Sequence, residues 1–127
     1  MALVAPTEGK IRMLQSICNN VASEALTLGL FTNNYTPVAG SILSNFTACT
    51  ITGYAAIALT PATWVTSGNP ITYPQQTFTF TGGFGATIYG YYIYGASKCY
   101  WAELLTVPFV PANNGDNLKI TLQLTLS

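Results

Sequence analysis

Residues 118–126 alternate strictly: Leu118, Ile120, Leu122, Leu124 and Leu126 fall between Lys119, Thr121, Gln123 and Thr125. A period of two belongs to an extended strand, whose side chains point alternately to opposite faces. It puts one face into a core and the other against something polar. The same period recurs along the chain. Leu26, Leu28 and Leu30 alternate with Thr27, Gly29 and Phe31, and residues 77–81 read TFTFT, with Phe78 and Phe80 between threonines. Residues 50–59, 88–94 and 100–105 make three further strands, and 71–73 and 106–110 two shorter ones.

Turn signals separate these runs: Asn33-Asn34, Ser67-Gly68-Asn69-Pro70, Gly82-Gly83-Phe84-Gly85 and Asn113-Asn114-Gly115-Asp116. Seven or eight short strands with β-branched and aromatic enrichment predict a mostly β fold, a single-domain antiparallel β-sandwich or a small barrel. A jelly-roll-like sandwich fits that strand count best, and an immunoglobulin-like sandwich is the main alternative, although its Cys…Trp…Cys spacing is not evident. Residues 33–48 are the least regular stretch and are expected to arch over the sheet. Only the beginning of the chain has another period. Ile11, Leu14, Cys18 and Val21 are spaced 3-4-3, which places them on one face of a short N-terminal helix. Thr7 is the expected N-cap, with Glu8 in the first turn where the helix dipole favours an acid. Met13 and Ile17 widen the apolar stripe, so the helix packs on something, either its own sheet or a neighbouring subunit. This divides the chain into an arm and helix over 1–22 and a sandwich domain over 23–127.

Composition narrows the function. Charged residues make up 6% of the chain and sum to net zero, against roughly 25% in ordinary soluble domains. In their place stand 18 threonines. A dispersed monomer ordinarily keeps a charged surface; this composition suits a subunit surrounded by other protein. No basic stripe is present to hold nucleic acid. The longest apolar run, from Tyr54 to Leu59, is far short of the ~18 residues that span a bilayer. The first residues, MALVAP, lack the basic and apolar regions of a signal peptide. An unexported chain argues against an outer-membrane barrel, and the two glycosylation sequons at Asn34 and Asn45 are read as chance matches. Cys18, Cys49 and Cys99 contain no C-x-x-C pair, and they read as reduced thiols of a cytoplasmically made protein.

Catalysis finds no foothold. The chain contains no histidine, the usual general base and metal ligand. Glu8, Glu24, Glu103 and Asp116 are far apart in sequence, no serine sits in a G-x-S-x-G setting, and no cofactor motif appears. The glycine-rich GGFG joins two strands instead of opening a helix, so it reads as a hairpin loop and not as a phosphate cradle.

The aromatic residues carry more information. Strand geometry sends Tyr89, Tyr91 and Ile93 to one face and Ile88, Tyr92 and Tyr94 to the other, while Trp101 and Glu103 share a face opposite Ala102 and Leu104. Only one face of a sandwich strand looks into the core. The second face is therefore either part of a thick core, a subunit contact of the kind tyrosine favours, or a stacking platform for sugar rings. Tyr89, Tyr91, Tyr92, Tyr94, Trp101 and Glu103 are the candidate interface residues, and Lys10 and Arg12 mark the helix as a second candidate contact. Asn113, Asn114 and Asp116 would be the polar side of a sugar site.

Several phrases occur as a set: residues 28–37 (LGLFTNNYTP), Gly53-Tyr54, Ala58-Leu59-Thr60, Trp64, 77–81 (TFTFT), 88–93 (IYGYYI), Trp101-Ala102-Glu103 and 116–120 (DNLKI). Across residues 26–126 the chain resembles small virion proteins of tailed bacteriophages, the group that includes capsid decoration or cement proteins. The resemblance implies a non-enzymatic protein without cofactor that sits on the outer capsid surface, contacts the major capsid protein and forms a homotrimer. It implies assembly into the virion after synthesis in the bacterial cytoplasm. A tail, adaptor or fibre component with a host- or glycan-binding face is the alternative, and a free lectin the third class.

Overall fold

The computed structural model describes residues 3–18, 24–68 and 70–125. One helix, α1 (Thr7–Ile17), precedes six strands: β1 (Leu26–Phe31), β2 (Ile57–Leu59), β3 (Ile71–Thr79), β4 (Ile88–Tyr94), β5 (Cys99–Phe109) and β6 (Asn117–Leu124). They form a four-stranded sheet in the order β2-β1-β4-β5 and a two-stranded sheet β3-β6. Every pairing is antiparallel. The two sheets face each other across one apolar core, so the fold is a single-domain β-sandwich. Leu28, Leu30, Tyr91, Ile93 and Trp101 of the larger sheet meet Tyr73, Phe78, Ile120, Leu122 and Leu124 of the smaller.

The strand count is six because two expected pairs fuse. Residues 71–73 and 77–79 belong to one strand, β3, broken in register between Tyr73 and Gln76 where Pro74 and Gln75 bulge out. A proline inside a strand is tolerated at such a bulge, since its missing N–H need not join the ladder. Residues 100–105 and 106–109 likewise form one strand. The long strand expected over 50–59 shortens to β2. Gly53 sits at φ 92, in the region that favours glycine, and the Tyr54 N–H closes a turn onto the Ile51 carbonyl at 3.0 Å.

Residues 33–48 do arch, and the larger sheet has two apolar faces as a result. The arch is tied at its base by Asn33. Its Nδ2 donates to the Asn45 carbonyl at 2.8 Å, and its Oδ1 accepts from the Thr47 N–H at 2.8 Å. At the tip, the Tyr35 and Ser41 hydroxyls are 2.8 Å apart, and Ser41 Oγ also accepts from the Val38 N–H. The loop thus satisfies its polar groups internally and lowers Phe46 onto the sheet. Phe31, Phe46, Tyr92, Cys99 and Ala102 form this second, smaller cluster.

Helix α1 lies against β5. Pro6, not Thr7, is the N-cap, and it offers no side-chain bond. The Thr7 N–H instead donates to the Ala39 carbonyl of the arch at 2.8 Å. Ahead of the helix, Val4 exchanges two backbone bonds with Ala102, at 2.8 and 2.9 Å. The arm therefore extends the edge of the larger sheet. Val21 and the expected boundary at 22/23 lie outside the described residues.

Candidate functional site

Most of the tyrosine-rich strand is buried, with Tyr89 and Tyr94 at its two ends half-buried. β4 has β1 on one side and β5 on the other, so neither of its edges is open. Tyr91 and Tyr92 are 7% and 4% exposed, and Trp101 7%. Tyr92 is sandwiched between Phe46, at a ring-centroid distance of 5.3 Å, and Tyr94, at 4.8 Å, both near-parallel. The open aromatic face on which a strand-to-strand trimer contact would rest is absent, because the arch covers it. A sugar ring has no access to the Tyr92 face for the same reason.

Nor do the tyrosines divide by simple alternation. Ile88 packs in the main core with Tyr91 and Ile93, whereas Tyr89 packs with the Tyr92 cluster. The register break lies between Ile88 and Gly90, where Tyr89 of β4 stands opposite Leu105–Pro108 of β5. The extra residues bulge outward and leave Val107 77% exposed. β5 keeps its own alternation across the break, with Leu105 and Phe109 on the Trp101 side, so the exchange of faces lies in β4. Trp101 and Glu103 do share a face, and Ala102 and Leu104 lie on the other.

The carboxylates have structural duties. Glu103 accepts from the Tyr91 hydroxyl at 3.0 Å; burial first, and this carboxylate second, push the phenol well above its ordinary value. Glu8 reaches across the fold: its Oε1 accepts from the Leu43 and Cys99 N–H groups at 3.0 and 2.9 Å, and Lys98 Nζ is 3.8 Å from Oε2. Burial and the nearby Glu8 charge lift the Cys99 thiol to about 12, so it is inert at neutral pH. Glu24 accepts from Arg12 at 2.8 and 3.0 Å and from the Tyr100 hydroxyl at 2.8 Å. Burial pushes the Glu24 carboxyl up. The Arg12 and Tyr100 hydrogen bonds and the guanidinium charge outweigh it, holding the group below its ordinary 4.5. Asp116 accepts from the Ala112 and Asn113 N–H groups, both at 2.9 Å. That is a turn-forming role, and it keeps the carboxyl below its ordinary value. The Asn113–Asp116 segment is thus built as a turn into β6.

Of the candidate residues in the helix, Arg12 is turned inward to Glu24 and Lys10 is exposed. Lys10 and Lys119 are the charged side chains without a hydrogen-bond or ion-pair partner among the described residues. No three His, Cys, Asp or Glu side chains there come together as metal ligands. No helix among them is long and apolar enough to cross a membrane.

Two surface features escaped the reading of the sequence. One is a hollow of about 320 Å³ where the sheets part, lined by Trp64, Trp101, Leu59, Ile71 and Leu124 with Glu24 at its rim. Trp64 stands edge-on to Tyr73 at 4.9 Å. The other is the outer side of α1, where Ile11, Leu14 and Ile17 are 50%, 62% and 78% exposed. The spacing of the stripe was visible; its outward direction was not. Comparison with family models, with curated proteins and with solved structures gave no match.

Proposed function

We propose that this chain is a non-enzymatic structural protein of a tailed-bacteriophage virion that decorates and stabilises the outer capsid surface. One observation carries the reading: nearly all of its few charges are consumed inside the fold. Six of the eight charged side chains are held by internal hydrogen bonds or ion pairs, which leaves Lys10 and Lys119. A surface of threonine, asparagine and aliphatic side chains packs against neighbouring protein with little desolvation cost and no repulsion between closely spaced copies. Its partners on this reading are the major capsid protein and further copies of itself, with no nucleic acid and no membrane. Apolar contact at about 25 cal/mol per Å², repeated over many attachment points, gives avidity without any strong single contact.

The test is to mix purified protein with shells of the matching phage that lack it and to image them by cryo-electron microscopy. Added density repeating over the capsid lattice is the expected result. Bare shells with density only at the tail or vertex overturn it in favour of a tail, adaptor or fibre component. One feature favours a glycan-binding role for such a component: the half-buried Trp64 indole lines the hollow beside Glu24 and offers a stacking surface there. On that reading, Trp64→Ala abolishes glycan binding by a protein that stays folded.

A further inference from the structure

Helix α1 is mounted with its apolar side outward. At 100° per residue, Gly9, Arg12, Met13 and Ser16 share one side of the helix, and Ile11, Leu14, Ile17 and Cys18 the other. The first side faces β5: Gly9 is buried and Met13 packs on the core. The mounting is fixed at three points. The Gly9 backbone lies so close to β5 that a Cβ there would collide with the Cys99 carbonyl and sit 2.7 Å from Tyr100 Cα. Glu8 caps two N–H groups of other segments, and Arg12 is paired to Glu24. The apolar stripe cannot turn inward without breaking all three.

The arch, which is bonded to the start of the helix, exposes further apolar side chains. Val38 and Ile42 are 52% and 46% exposed, beside the Ala39 carbonyl that holds the start of the helix. Five of the nine large hydrophobic side chains that are exposed among the described residues fall on these two segments. Together they make a patch on the order of several hundred Å², the size at which exposed apolar surface marks an interface.

We propose that this face is where two copies of the chain meet, α1 against α1, antiparallel about a two-fold axis at Leu14. The pairing is self-complementary. It sets Leu14 on Leu14 of the second copy, Ile11 on its Ile17, and Lys10 beside its Cys18. The one charge bordering the stripe is thereby carried to the partner's helix C-terminus. That end has no basic residue in its last turn, and the helix dipole there favours a cation. A parallel bundle would instead crowd like-charged Lys10 side chains together. Two such patches bury on the order of 1,000 Å², the lower limit of a specific interface.

The proposal does not depend on the capsid reading, because self-association is measured on the chain alone. Sedimentation equilibrium of the full chain is expected to give a monomer–dimer equilibrium. Leu14→Asp weakens it by at least about tenfold with an unchanged urea midpoint. In a second variant, Leu14→Cys with Cys18→Ser, mild oxidation traps a disulfide-linked dimer through residue 14. A monomer at the highest soluble concentration overturns the proposal. So does a dimer or trimer that Leu14→Asp leaves intact. Loss of shell binding by Leu14→Asp with self-association unchanged would assign the face to the capsid protein instead, and that also overturns it.

Discussion

Strand β6 and helix α1 are both amphipathic, and they are mounted in opposite senses. In β6 the apolar members go inward: Ile120, Leu122 and Leu124 are 5%, 0% and 3% exposed, while Lys119, Thr121 and Gln123 face out. In α1 the glycine, the arginine and the glutamate go inward with Met13 as the one large apolar side chain beside them, and isoleucine and leucine face out. Burial of apolar area governs β6, which pairs with β3 along one edge and packs its apolar face on the core. On α1's inner side the neighbouring segments present unpaired N–H groups, at Leu43 and Cys99, and an unpaired buried donor costs about 1–3 kcal/mol. Glu8 meets both. Where polar groups must be satisfied, a short helix gives up its apolar face to do so.

The contrast is sharpest when each element loses an inward residue. Leu122→Ala removes a fully buried side chain from the main core. It is expected to cost about 3 kcal/mol from lost transfer free energy and the cavity left behind, read as a lower urea midpoint at unchanged m-value. In α1 the inward residue that matters is the smallest one. Gly9→Ala improves intrinsic helix propensity by about 1 kcal/mol, so propensity alone predicts stabilisation. The new Cβ meets β5 backbone that cannot yield, and overpacking of this kind costs about 1–3 kcal/mol. The net change is expected to be destabilising; a stabilised Gly9→Ala would show that α1 does not hold the tight mounting described.

The polar side of the comparison is tested by pH. The Glu24 carboxyl is held below its ordinary 4.5 by Arg12 and Tyr100. A depressed carboxyl contributes stability that is present above its unfolded value and is lost as pH falls through the folded one. Glu24→Gln is therefore expected to cost about 1 kcal/mol at neutral pH. The gap to the parent chain closes as pH drops below 4.5, the ordinary value of that carboxyl. A gap independent of pH would mean that Glu24 acts by shape and not by charge.

Much of the sandwich was legible because its signal is local. The alternations bounded β1 and β4 residue for residue, and the core positions of β6 follow from period two. The arch was visible as a loss of that period. What the sequence concealed is carried by contacts between distant segments. Glu8 bonds to residues 35 and 91 positions away, and nothing near Glu8 marks those partners. The Tyr92 face is closed by Phe46 from another part of the chain, so alternation in β4 cannot tell a covered face from an open one. The sides of Ile88 and Tyr89 are exchanged where the β4–β5 register breaks; Pro108, which cannot donate to a ladder, was the one local sign of that break. Lys10 and Arg12 look equivalent in sequence, yet only Arg12 has a carboxylate within reach.

The smallest expected effect is the one that separates α1 from β6 most cleanly. Ile17 is 78% exposed in the last turn of α1. Ile17→Lys removes little buried area in the single chain and places a cation where the helix dipole favours one. At concentrations low enough to keep copies apart, the urea midpoint is expected to move by no more than about 0.5 kcal/mol, in either direction. The same exchange of an aliphatic side chain for lysine at Leu122 would bury an unpaired charge and abolish folding. If Ile17→Lys destabilises the dilute chain as a core substitution does, the outer side of α1 packs on its own fold after all. A neutral result leaves the stripe without a role inside the single chain, so a selective pressure to keep it apolar would have to come from contacts between chains.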